Sequence, residues 1–192
     1  MIKLVLLFAA LLLVVVGCGD GGSSSADGEQ TVAAGEVPFD QAFIDAMVPH
    51  HREAIAMADA AIERRLSQPA LAEIARDIIS SQQLEIDQML EWRVKWFGSR
   101  TLGPVSPEVL GVPEDQLGME HGSADEVANA ADGDATFAAL MIAHHEGAIA
   151  MAEAATERAQ HSELRDLAAR IIGAQEREIE VMEPHASGEH HG

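Results

Sequence analysis

The residues best suited to chemistry are a histidine pair with methionine on either side, Met47-x-x-His50-His51-x5-Met57, which recurs as Met141-x-x-His144-His145-x5-Met151. Imidazole nitrogen and thioether sulfur suit Cu(I), and imidazole also takes Cu(II) or, as a lesser alternative, Zn(II). Met47 and Met141 each stand three residues before the first histidine of their pair, so on a helix the two share a face. The same spacing occurs again at Met182 and His185. Cys18 is the single cysteine, so neither an intrachain disulfide nor a thiolate cluster is available. The plainer account is a buried hydrogen-bonded network, His50 with Glu85, in which the methionines only fill space. A lone histidine would be read that way; four histidines in two matched pairs favour a metal.

Helices must carry these side chains. Apolar residues make up 47% of the chain and aromatics only 4%, the apolar mass being Ala, Ile, Leu and Met, which are helix formers. Phe43, Met47, Ala54, Met57, Ala58 and Ala61 recur at helical spacing, with His50 and His51 on either side of the Met47–Ala54 line. Pro38-Phe39-Asp40 predicts the helix start, with Asp40 as N-cap. Pro49 removes one backbone hydrogen bond and predicts a kink just before the histidines. The helix should end near Leu66–Pro69, where the proline opens a second helix that stops at Gly98. The inward face of that second helix reads Leu71, Ile74, Ala75, Ile78, Gln82, Glu85, Met89, Trp92, Trp96. Gln82 and Glu85 interrupt an apolar stripe, where a carboxylate is costly unless it is paired or bound to a cation.

The whole pattern then repeats. An offset of 94 takes Asp40, Phe43, Met47, His50 and Met57 to Asp134, Phe137, Met141, His144 and Met151. After one residue is lost, an offset of 93 takes Leu71, Gln82, Glu85 and Met89 to Leu164, Gln175, Glu178 and Met182. Two hairpins with matching buried faces predict an all-α, four-helix bundle with pseudo-twofold symmetry, its repeats at about 39–98 and 133–183. The linker 99–132 holds Pro104, Pro107 and Pro113 and is too long for a turn. It should run from one end of the bundle to the other, with a short helix near Asp125–Ala131. The histidine pairs should point inward, near Glu85 and Glu178. Gln82, Glu85, Gln175, Glu178, Met89, Met182 and His185 are then candidates to orient the rings or to add ligands.

Two motifs, Phe43-x3-Met47-x2-His50-His51-x2-Ala54-Ile55-x-Met57-Ala58 and Ile78-Ile79-x2-Gln82-x2-Glu85-Ile86-x2-Met89, are each present twice. They resemble the DUF305 family over roughly Phe39 to Met182. That resemblance implies a ferritin-like helical bundle and, from the characterised members, extracytoplasmic copper binding linked to copper resistance. Carried over residue by residue, it implies metal ligation by His50, His51, His144, His145, Met47, Met57, Met141 and Met151.

The remaining sequence bears on location. Lys3 precedes an apolar run, Leu4–Val16, shorter than the roughly 20 residues that span a bilayer but right for a signal peptide. Val15-Val16-Gly17-Cys18 resembles the bacterial lipobox. This implies lipidation at Cys18 and anchorage in the bacterial cell envelope, outside the cytoplasm, with no spanning helix in the mature form. Residues 1–17 then form the signal peptide, 18–36 a flexible Gly/Ser tether, 37–183 the bundle and 184–192 a disordered tail with His185, His190 and His191. The formal net charge of −20 at pH 7 disfavours nucleic acid as a partner and attracts metal cations. No protein partner is indicated. A ferritin-like di-metal oxidase is the main rival, but it needs Glu-x-x-His twice and the chain has none. An interaction bundle without metal is the other. The reading favoured by the residues is a non-catalytic copper binder that buffers or sequesters the ion.

Overall fold

The computed structural model describes residues 37–119 and 122–187. The expected signal peptide, Cys18, the tether, His121, His190 and His191 lie outside the described residues. Those described form six helices and no strand: α1 (Phe39–Arg64), α2 (Pro69–Phe97), α3 (Pro107–Leu110), α4 (Ala124–Asn129), α5 (Gly133–Arg158) and α6 (Ser162–Met182). α1 pairs closely with α2, and α5 with α6, as two hairpins; α1 and α5 also pack on each other, while α2 and α6 touch less. This is the all-α four-helix bundle expected from the repeat. α1 continues through Pro49, and Gly98, in the left-handed region at φ 73°, ends α2 where the sequence places the stop.

Asp40 does not cap its own helix. Pro38 holds that position, and the Asp40 carboxylate is buried against the other hairpin. There it accepts from the amides of Gln160 (2.8 Å) and His161 (2.9 Å) and from His161 Nδ1 (2.6 Å). Asp134 does the reverse, accepting from the amides of Ser67 (2.9 Å) and Gln68 (3.4 Å) and from the Ser67 hydroxyl. The first amides of a helix have no partner within it. Each leading aspartate therefore satisfies donors where the opposite hairpin turns into its second helix. The exchange fixes α1 and α5 antiparallel, with His50 and His144 near their midpoints.

The linker does run from end to end, and an arginine matched in the repeat ties each end. Arg158 donates to the carbonyls of Val109 (2.7 Å) and Leu110 (2.5 Å). Arg64 donates to those of Ala128 (2.8 Å) and Ala130 (2.5 Å). α4 begins with a capping box between Ser123 and Glu126 and stands where the short helix was expected. His185 was assigned to a disordered tail. Instead a 3-10 turn, Glu183–His185, continues α6 and packs on α5.

The core has two apolar clusters. One joins the first half of α1 to the second halves of α2 and α5 and includes Met47, Met89 and Met151. The other joins the second half of α1 to the first halves of α2 and α5 and includes Met57, Met141 and Met182. Between them, at mid-height, lie the buried polar residues His50, His51, His144, His145, Gln82 and Gln175.

Candidate metal centre

The expectation that the histidine pairs turn inward near Glu85 and Glu178 holds. All four imidazoles are at most 1% exposed. They divide into two kinds. His51 Nε2 lies 2.8 Å from Glu85 Oε2, and His145 Nε2 lies 2.7 Å from Glu178 Oε2. An ionised carboxylate can only accept, so Nε2 donates; in the neutral ring this leaves the Nδ1 lone pair free to face the core. Nδ1 of His51 and of His145 is buried without a hydrogen-bond partner among the described residues. A carboxylate holding one imidazole nitrogen while the other presents a lone pair is the arrangement that prepares histidine for a metal. The plainer reading paired Glu85 with His50; the residue that takes Glu85 is its neighbour.

His50 and His144 meet each other instead. Their ring centroids are 3.7 Å apart with 37° between planes, at the crossing of α1 and α5. Neither ring nitrogen of His50 has a well-formed hydrogen bond among the described residues. Burial holds its pKa well below the ordinary 6.5, and the nearby His144, His51 and His145 push it further down, against a weaker effect of the Leu117 backbone. The ring is thus neutral at pH 7, and its lone pair is available to a metal. Gln82 and Gln175 are buried in the same layer, each with an unpartnered Oε1. A buried polar atom left without a partner costs roughly 1–3 kcal/mol. A layer of such atoms is a poor structural device and a good donor set.

The methionines regroup in a way the linear motif hides. Met47 and Met57 flank one histidine pair in sequence but belong to opposite clusters, Met47 with Met151 and Met57 with Met141. Met89 joins the first group and Met182 the second, so each side of the histidine layer has thioethers from three helices. His185 is partly exposed in the turn after α6. Among the described residues, no three His, Cys, Asp or Glu side chains already converge on one point. The donors are imidazoles in the layer with thioethers to either side, a set whose softness fits copper better than a hard cation.

Several features escaped sequence reading. Asp45 and Arg93 form a buried ion pair, 2.8 Å from Oδ1 to Nε, that the repeat does not duplicate, since Ala139 stands where Asp45 would recur. Gly147 lets the Leu117–Gly118 backbone lie on α5 beside His50. Glu53 occupies the equivalent position in the other repeat, with Oε2 3.9 Å from His144 Nε2; partial burial raises its pKa. The mismatch at 53 and 147 was the available signal.

A family model described as Domain of unknown function (DUF305) matches residues 40–185, which include every element just described except the first residue of α1. The chain belongs to the DUF305 family. Among solved DUF305-like structures it is similar to CopM in the Cu(I)-bound form, with 31% identity and a TM-score of 0.65 over 81% of this chain and 99% of that one. The match to CopM in the Cu(II)-bound form has 34% identity and a TM-score of 0.65, covering 78% and 96%. A DUF305 fragment from Deinococcus radiodurans matches at 28% identity and a TM-score of 0.64, covering 79% and 97%. No curated protein sequence matches the chain.

Proposed function

We propose that this DUF305 protein binds copper as cargo, through the His50–His144 pair with His51 and His145 beside it and the methionines on either side. It buffers or sequesters the ion and catalyses no reaction. The observation that carries the reading is the buried histidine layer, in which the His50–His144 pair is flanked by two carboxylate-held imidazoles with open Nδ1 lone pairs. Similarity to copper-bound CopM supports the choice of metal. Bound there, copper would be held by neutral nitrogen and sulfur donors, a set that favours Cu(I) and tolerates Cu(II). Glu85 and Glu178 orient rings rather than bind the ion. The lipobox-like Cys18 supports anchorage by lipid in the cell envelope, outside the cytoplasm, where copper is met before it enters the cell.

The test is a competition titration of residues 37–192 with Cu(I), Cu(II), Zn(II) and Fe(II), repeated on His50→Ala/His144→Ala. Preference for copper, lost in the double variant, is the expected result. Unchanged copper affinity in that variant would leave only the tail histidines as ligands and sink the bundle site. Oxygen turnover with Fe(II) would favour the oxidase instead.

A further inference from the structure

The repeat is broken at one position beside the histidine layer, and the break makes the two sides of the centre unlike. Gly147 in α5 corresponds to Glu53 in α1. On the Gly147 side the linker closes over the centre. A Cβ built on Gly147 would stand 2.5 Å from the Leu117 carbonyl carbon and 2.6 Å from the Gly118 nitrogen, and one on Gly118 would stand 3.2 Å from His50 Nε2. Main chain therefore covers His50 there. On the other side Glu53 replaces the glycine. Its side chain is 45% exposed, yet Oε2 lies 3.9 Å from Nε2 of His144, a ring only 1% exposed. Glu85 and Glu178 are closer to their histidines, but each is committed to a hydrogen bond under 3 Å. At 3.9 Å the Glu53 carboxylate is not, and it extends from water to the His50–His144 pair.

We propose that Glu53 is the solvent-side carboxylate of this centre, receiving a copper ion from water, passing it to the His50–His144 pair, and adding an oxygen ligand when the ion is Cu(II). This rests on the copper-binding reading above. Carboxylate oxygen is a hard donor, useful to Cu(II) and of little use to Cu(I), which prefers nitrogen and sulfur. Glu53 therefore sets how strongly the centre holds Cu(II) relative to Cu(I). The competing way in is a cavity of about 300 Å³ on the linker side, lined by Asp115, Gln116, Gly118, Ala143, Glu146 and Gly147. It offers two carboxylates of its own but ends against the Leu117–Gly118 backbone.

The experiment compares four purified full-length proteins: wild type, Glu53→Gln, Asp115→Asn/Glu146→Gln, and His50→Ala/His144→Ala. Stopped-flow mixing gives the rate of Cu(II) capture, competition gives affinities for Cu(II) and Cu(I), and electron paramagnetic resonance reports the Cu(II) ligands. The tail histidines are common to all, so their contribution cancels. Glu53→Gln is expected to slow Cu(II) capture and weaken Cu(II) binding by about tenfold, to change the Cu(II) spectrum, and to leave Cu(I) affinity within about twofold. The linker-side variant is expected to match wild type. If Glu53→Gln behaves as wild type toward Cu(II), or if the linker-side variant is the one that slows capture, the proposal is overturned. The histidine variant separates the two levels: its keeping wild-type affinity defeats the copper site itself, whereas its losing copper while Glu53→Gln is unaffected defeats only the role of Glu53.

Discussion

Alanine at Gly147 and alanine at Gly173 should shift stability in opposite directions, although both glycines lie inside long helices. At an unconstrained helical site the exchange gains roughly 0.5–1 kcal/mol, because glycine loses more backbone freedom on folding. A Cβ at Gly173 in α6 meets nothing nearer than Arg177 Nη1 at 3.4 Å, the far end of a flexible side chain. The full gain is expected there. A Cβ at Gly147 in α5 would stand 2.5 Å from one linker backbone atom and 2.6 Å from another, where ordinary contact begins at 3.4 Å. The linker would have to retreat by about 1 Å, and Arg64 and Arg158 pin it on both sides of the contact. Overpacking of this kind costs roughly 1–3 kcal/mol. Subtracting the propensity gain leaves a net loss of up to about 2.5 kcal/mol, and contacts this short to pinned backbone put it in the upper half of that range. In a domain of this size 1 kcal/mol moves Tm by roughly 2–4 °C. Thermal and urea unfolding followed by circular dichroism should therefore show Gly173→Ala raising Tm by about 2–3 °C and Gly147→Ala lowering it by at least as much. If Gly147→Ala stabilises as much as Gly173→Ala, the linker does not lie on α5 and the closed side of the histidine centre is wrong.

Removing either exchanged cap should be costly: Asp40→Ala or Asp134→Ala strands partly buried amides of the opposite hairpin and should lose about 1–3 kcal/mol in urea unfolding. A loss under about 0.5 kcal/mol would mean the clamps contribute little. The apo protein should weaken in mild acid. The pKa of His50 is lower folded than unfolded, so its contribution is complete above the unfolded value of about 6.5 and declines as pH falls below it, by up to about 1.4 kcal/mol per pH unit. Urea midpoints between about pH 7.5 and pH 5.5 should show a shallower slope for His50→Asn than for wild type, and equal slopes would contradict the burial argument. Cys18→Ser should abolish incorporation of labelled fatty acid and release the chain from the membrane; labelling that persists would refute lipidation at that residue.

Much of the architecture was legible because the repeat shows it twice. Pro69 and Gly98 bracket α2 as their backbone preferences require, and the matched offsets identify which helix faces must be buried. The inward turn of His50, His51, His144 and His145 followed from period alone. Period could not say which histidine meets which partner. His50 and His51 differ by about 100° around α1, and only the crossing angle of the helices sends one to Glu85 and the other to His144. The methionines were read as flanking pairs because they are close in sequence, but antiparallel packing of α1 on α5 groups Met47 with Met151 instead. Asp40 looked like a local cap, and its real partners lie about 120 residues away on another turn. Arg93 and its buried partner Asp45 lie on different helices, so no local pattern pairs them. In each case the missing information was long-range geometry rather than chemistry.

The central claim is that copper sits at the crossing of α1 and α5. The most direct measurement is a crystal structure of the copper-loaded protein with anomalous scattering recorded at the copper edge. The account predicts an anomalous peak within the mid-height layer, about 2 Å from an imidazole nitrogen of His50 or His144. Peaks confined to the tail histidines or to surface carboxylates, with the His50 and His144 rings undisturbed, would contradict it.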